Sequence, residues 1–198
     1  MDASGDVVIA PGFLPAQTSQ AVDLVWEAFA GKLGAVLRPE TKAKACLARA
    51  LDPRFALAAT AGTTLVGVAG FKGATGGFIG GTQRDFRAVY GQFGGVWRAL
   101  LLSTLERAPE PGTFLMDGVC VSRNWRGRGV GIALLGAIIA AARTDAATRV
   151  QLDVIDTNPR AAQLYRSFGF HEAGTHSVGM LRHVFGFRHA RRMVYPPT

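Results

Sequence analysis

Six residues, Arg126-Gly127-Arg128-Gly129-Val130-Gly131, set the tightest limit on how this chain can fold. Before them, Phe114-Leu115-Met116-Asp117-Gly118-Val119-Cys120-Val121 has the apolar, β-branched and aromatic character of a strand. After them, Leu134, Leu135, Ile138, Ile139 and Ala142 recur at helical spacing. A strand therefore passes into a helix through a loop with glycine at every second position. Glycine lacks a Cβ, so such a backbone can approach a ligand closely. The first N–H groups of a helix have no partner inside it and carry partial positive charge, which makes an anion site. Arg126 and Arg128 add full charges of the kind that suits phosphate oxygens. The loop predicts a phosphate-bearing cofactor.

Other phosphate loops fit less well. A nucleoside-triphosphate loop ends in Gly-Lys-Ser/Thr, whereas Gly131 is followed by Ile132 and Ala133. A dinucleotide fold puts its glycines in the first βαβ unit, with an acidic residue about twenty positions on. Asp153 stands roughly there, but the loop lies two-thirds along the chain. On the loop alone, a basic glycine-rich turn without a ligand remains the alternative.

The segment after the loop's helix weighs against that alternative. Val150-Gln151-Leu152-Asp153-Val154-Ile155 alternates like a strand. Asp156-Thr157-Asn158-Pro159 then opens a second helix, with Asn in cap position and Pro in the first turn. That helix carries Ala161, Leu164, Tyr165 and Phe168, stops at Gly169, and Phe170 starts another strand. This order of elements resembles the GNAT superfamily of N-acetyltransferases. Arg126, Gly129 and Gly131 match the family's loop pattern of Gln or Arg, two residues, Gly, one residue, Gly or Ala. Asn158 and Tyr165 match a second family spacing, ahead of the Gly169-Phe170 pair. The resemblance covers residues 113–172.

The resemblance implies a mixed α/β fold whose central sheet is splayed and flanked by helices, with acetyl-CoA as cofactor. It assigns the main chain of Val119, Cys120 and Val121 to the pantetheine arm. Arg126, Gly127, Arg128, Gly129, Val130, Gly131 and Ile132 would hold the pyrophosphate. Asn158 would hydrogen-bond the cofactor, although capping alone explains an Asn there. The chemistry implied is acetyl transfer to an amine. An alkylammonium has a pKa of about 10.4, so a carboxylate is useful as base. The developing oxyanion needs a backbone donor, and a departing thiolate, pKa about 8.5, benefits from a proton donor. Tyr165 matches the position of the general acid in many family members, the alternative being an aromatic packed on the cofactor helix. Asp153 matches the strand position of an acidic base in some of them. Asp117 competes for that role, and Asp156 reads as a turn or cap residue.

At 198 residues, 48% hydrophobic and 18% charged, the chain suits one domain with a sizeable core and excludes a disordered chain. No apolar run approaches the ~18 residues needed to cross a bilayer, and residues 1–5 lack the start of a signal peptide. Cys46 and Cys120 make no disulfide framework and read as buried thiols in a reducing cytoplasm, with no metal-ligand spacing. The net charge of +8 invites a nucleic-acid partner, but coenzyme A is an anion as well. The one basic candidate, Arg182, His183, Arg188, His189, Arg191 and Arg192, alternates with Val184, Phe185 and Phe187. Paired strands with a solvated basic face explain it equally well.

The front half reads as a strand at 7–9, helices at 16–30 and 40–51, and a hairpin of 55–60 with 64–71. Val22, Val25, Trp26 and Phe29 form the buried face of the first helix. The family's third and fourth strands usually meet through a short turn. Here 72–112 intervenes, opening with a glycine-rich, flexible stretch at 73–81 and carrying helical patterns at 84–90 and 95–105. Leu100, Leu101, Leu102 and Leu105 demand burial of the second helix. A wall or lid of the acceptor site and a homodimer contact are the two readings of this insertion. The expectation is an acetyl-CoA-dependent N-acetyltransferase acting on a small-molecule or peptide amine. A CoA-binding regulatory module without catalysis is the runner-up, and a nucleic-acid-binding protein comes third.

Overall fold

A computed structural model describes residues 6–73, 76–104 and 110–195. The chain runs β1 (Val7–Pro11), α1 (Thr18–Leu37), α2 (Glu40–Ala50), β2 (Ala56–Ala61), β3 (Thr64–Gly73), a minimal β4 (Gly76–Gly77) and α3 (Gln83–Ser103). It continues with β5 (Thr113–Val121), α4 (Val130–Thr144), β6 (Arg149–Ile155), α5 (Pro159–Phe168), β7 (His171–Ser177), a single turn α6 (Arg182–Phe185) and β8 (His189–Tyr195). One mixed sheet results, in the order β1-β2-β3-β5-β6-β8-β7, with β4 paired to β3. The splayed α/β architecture expected from the resemblance is present.

The splay has a definite starting point. β5 and β6, the parallel pair, are in register only at Thr113↔Arg149, Phe114↔Val150 and Leu115↔Gln151. Beyond Leu115, β5 stays with β3 as far as Gly67↔Val121, while β6 stays with β8 as far as Ile155↔Ala190. The sheet thus opens into a V with β5 main chain exposed along one arm. At the apex the β3–β5 ladder slips: Gly70 faces Gly118 and Phe71 faces Met116, so Asp117 is an extra residue. Such a bulge bends the strand and re-aims a side chain.

Both faces of the sheet are covered. α4 packs Leu134, Leu135 and Ile138, all fully buried, against Val66, Phe114, Val150 and Leu152. On the other face α1 and α2 place Val22, Val25 and Leu47 against Val68 and Cys120. Burial on both sides explains why β3 reads as an almost continuous apolar run. A third cluster lies under α3, where Phe86 meets Val36, Leu37, Phe185 and Phe187.

Four local readings change. α1 continues to Leu37 rather than ending at 30, because Val36 and Leu37 are buried and tertiary packing outweighs the cost of Gly31 and Gly34. Residues 74 and 75 of the expected flexible stretch lie outside the described residues, and 76–81 is not a free loop: Phe78 is 2% exposed, its N–H donates to the Phe71 carbonyl, and its ring occupies the space a Cβ on Gly70 would need. Arg182–Phe185 is helical instead of extended, closed by Gly186 at φ 71°, and Phe185 and Phe187 point into the core. The leucines of α3 are less covered than expected, since Leu100 is 68% exposed and Leu101 and Leu102 are half-buried. Leu105 lies outside the described residues. The two helical patterns appear as two segments of α3 joined at non-helical Gly91. A Cβ on Gly95 would fall 2.5 Å from the Arg87 backbone, so the segments pack closely only because that residue is glycine. Among the described residues no helix is long and apolar enough to cross a membrane.

Candidate active site

The V between β5 and β6 holds a cleft of about 460 Å³. Its floor is Val119, Cys120 and Val121. One wall is the loop with Arg126, Gly127, Gly129, Gly131 and Ile132, and the other is α5 with Asn158, Arg160, Leu164 and Tyr165. Of the residues expected to hold the cofactor, Arg128 and Val130 do not line it. Val130 is buried under the loop, and the Arg128 guanidinium stacks 5.1 Å from the centre of the Trp125 ring.

Gly127 and Gly129 have φ of 78° and 83°, a left-handed backbone that L side chains avoid. Nothing lies within 4 Å of where their Cβ atoms would stand. Gly129 is the N-cap of α4, and no side chain caps that helix. Its first N–H groups need an acceptor from outside the chain. An open cradle of backbone donors under a positive helix end fits the pyrophosphate of coenzyme A. The unpaired edge of β5 fits the amides of a pantetheine arm, which would extend the ladder as a strand would.

Charge in the cleft is arranged by a residue that local sequence reading does not reveal. Glu27 of α1 reaches the loop, with Oε1 2.6 Å from Arg126 Nη2 and 2.8 Å from Arg123 Nε. Arg126 Nε also donates to the Val121 carbonyl at 3.0 Å. Arg126 therefore ties the loop to α1 and β5, while Arg160 adds a cation on the α5 side. No periodicity or motif connects Glu27 to a loop a hundred positions away.

Tyr165 is 7% exposed, its ring 5.8 Å from that of Phe170. Burial pushes its pKa well above the ordinary value; neighbouring Cys120 adds to this, and a hydrogen bond from the Val119 backbone opposes it. The hydroxyl thus sits protonated against β5. Burial also raises the Cys120 thiol to about 12, with Arg126 opposing and Glu27 reinforcing the shift. Asn158 caps α5, its Oδ1 accepting from the Ala161 N–H at 3.2 Å, and also lines the cleft.

The acidic candidates separate. Asp153 is on an exposed position of β6, in register with Arg192, and does not line the cleft. Asp156 accepts from the backbone N–H groups of Arg188 and His189 at 3.2 and 3.0 Å, the work of a turn residue. Asp117, on the bulge, lines a second cavity of about 400 Å³ between α1, α2, α3 and the β3–β5 wall. Phe86, Ala99, Leu100 and Leu102 of α3 form part of that cavity. Among the described residues no cluster of His, Cys, Asp and Glu side chains is arranged to hold a metal ion.

Solved structures share this arrangement of elements. An N-acetyltransferase from Staphylococcus aureus Mu50 superposes with a TM-score of 0.64 at 11% identity, covering 95% of this chain and 100% of its own. A GCN5-related N-acetyltransferase from Kribbella flavida gives 0.62 at 18% identity, over 96% and 97%. The ribosomal-protein-S18-alanine N-acetyltransferase from Escherichia coli gives 0.57 at 15% identity, over 98% and 95%. At these identities the likeness is one of fold. No curated protein matches in sequence. The model of the acetyltransferase (GNAT) family matches residues 20–170, which span the cleft, its loop and both flanking strands. The chain belongs to the acetyltransferase (GNAT) family.

Proposed function

We propose that the protein transfers an acetyl group from acetyl-CoA to a primary amine. One observation carries this reading: an uncapped helix end, an unpaired strand edge and a buried, protonated tyrosine converge on the cleft where β5 leaves β6. The amides of 127–132 hold the pyrophosphate, the main chain of 119–121 holds the pantetheine, and Asn158 supports it. The bound cofactor supplies an acyl thioester. Asp117 removes the proton that the incoming ammonium must lose, directly or through water. With acetyl-CoA bound, formation of the nitrogen–carbon bond would be matched by cleavage of the carbon–sulfur bond, Tyr165 would give its phenolic proton to the departing thiolate, and the second proton shed by the nitrogen would return to the Tyr165 phenolate through water. The geometry supports Asp117 over Asp153 as base, because Asp117 belongs to the strand that Tyr165 touches and faces a cavity.

The test is release of free CoA thiol from acetyl-CoA in the presence of an amine panel, with calorimetry of CoA binding alongside. Turnover with any primary amine is the expected result. Tight CoA binding without release for any member would favour a regulatory CoA-binding module. The nucleic-acid reading has little support, since Phe185 and Phe187 are buried and offer no stacking surface.

A further inference from the structure

We infer that the cavity beside Asp117 receives the acceptor, and that this acceptor is a monoamine with an apolar body rather than a polycation. The inference rests on the acetyl-transfer reading and adds the substrate class. Position is the first argument. Asp117 lines this cavity and Val119 lines the cofactor cleft. Two residues of strand span at most about 7 Å, so an amine beside the Asp117 carboxylate is within reach of a thioester held on Val119.

Lining chemistry is the second argument. Apolar side chains, Leu33, Leu37, Leu47, Ile79, Phe86 and Leu102 among them, make most of the wall. Its charged side chains are one carboxylate, Asp117, and one ammonium, Lys72, with Gln83 and Ser103 as further polar groups. A polyamine or aminosugar entering here would lose hydration at several cationic centres against a single carboxylate, and Lys72 would repel it. An aryl or alkyl body would instead remove apolar surface from water on both partners. The size agrees, because about 400 Å³ lies at the small end of ligand pockets. It accommodates a small arylalkylamine or one apolar N-terminal residue of a peptide. Half of the enclosing wall is α3 and its approach, so the insertion sets acceptor choice while the cofactor cleft is built elsewhere.

The experiment compares phenethylamine, the peptide Phe-Ala-Ala, spermidine and a lysine-bearing peptide, both as substrates with acetyl-CoA and as ligands of the protein loaded with CoA. Equilibrium binding to the CoA-loaded protein reads the cavity even if no turnover occurs, so failure of the catalytic reading and failure of this one are distinguishable. Phenethylamine or Phe-Ala-Ala should bind at least about tenfold more tightly than spermidine, and whichever of the two is better names the source of the apolar amine. Ala99→Phe fills the cavity from α3, and should weaken that binding about tenfold while CoA affinity stays within about twofold. Preference for spermidine or the lysine peptide would overturn the inference. So would an Ala99→Phe protein of parental acceptor affinity.

Discussion

Tyr165 touches β5 through a hydroxyl that burial keeps protonated, so the proposed proton donor holds its proton throughout the neutral range. An acid whose pKa is raised in the folded state favours folding below its unfolded value of about 10 and loses that contribution as pH climbs through the folded value. Any alkaline loss of activity or stability that Tyr165 causes therefore begins above about pH 10. Tyr165→Phe keeps the ring packed on Phe170 and removes one proton. Turnover should fall about a hundredfold or more while CoA affinity changes little, as single-turnover kinetics and calorimetry would show. A fall of less than about threefold would assign the proton to another donor. The base is tested in parallel. Asp117→Asn should lower kcat by about a hundredfold with CoA binding retained, and Asp153→Asn should leave it within about threefold. The reverse outcome would move the role to β6.

At the scale of elements, the α4 N-terminus and the segment 76–81 carry distinct duties. Gly129→Asp puts a side chain on a residue with φ 83° and a negative charge where an anion is to be held. CoA affinity should drop by about a hundredfold or more in a protein that still melts cooperatively, measured by calorimetry and thermal unfolding. Unchanged affinity would remove the loop from the cofactor site. The segment 76–81 is a matter of stability instead. Phe78 is fully buried, meets Phe13 edge-on at 6.4 Å and fills the place above Gly70. Phe78→Ala should cost about 3–5 kcal/mol in denaturant unfolding. A stretch so rich in glycine looks dispensable in the sequence, and one aromatic side chain makes it part of the core.

Across the whole molecule, the groups that line the cleft depend on layers on both sides of the sheet, and the free thiols report on their integrity. Burial pushes Cys46 up to about 11 and Cys120 up to about 12. Acids so shifted hold few thiolates at pH 8, so a disulfide reagent should modify both at least about a hundredfold more slowly than it does an ordinary cysteine. In guanidinium both should react at once; fast modification of Cys120 in the native protein would mean that the β5 floor opens in solution.

The sequence by itself determined the strand–loop–helix unit and the helix from Pro159 to Phe168, since glycines of positive φ, an Asn cap and helical spacing act over a few residues. That local physics was enough to bring nine of the eleven residues expected to hold the cofactor, and Tyr165, to one cleft. What only the tertiary structure decided depends on pairing between distant segments. The bulge at Asp117 exists because β3 and β5 shift register across one step, which neither strand encodes alone. Glu27 meets Arg126 because α1 crosses the mouth of the V. The second cavity forms where α1, α2 and α3 converge, each of which looks in sequence like an ordinary amphipathic helix. Side chains far apart in the chain meet only after the sheet has chosen its order, and that choice is made by the whole core at once.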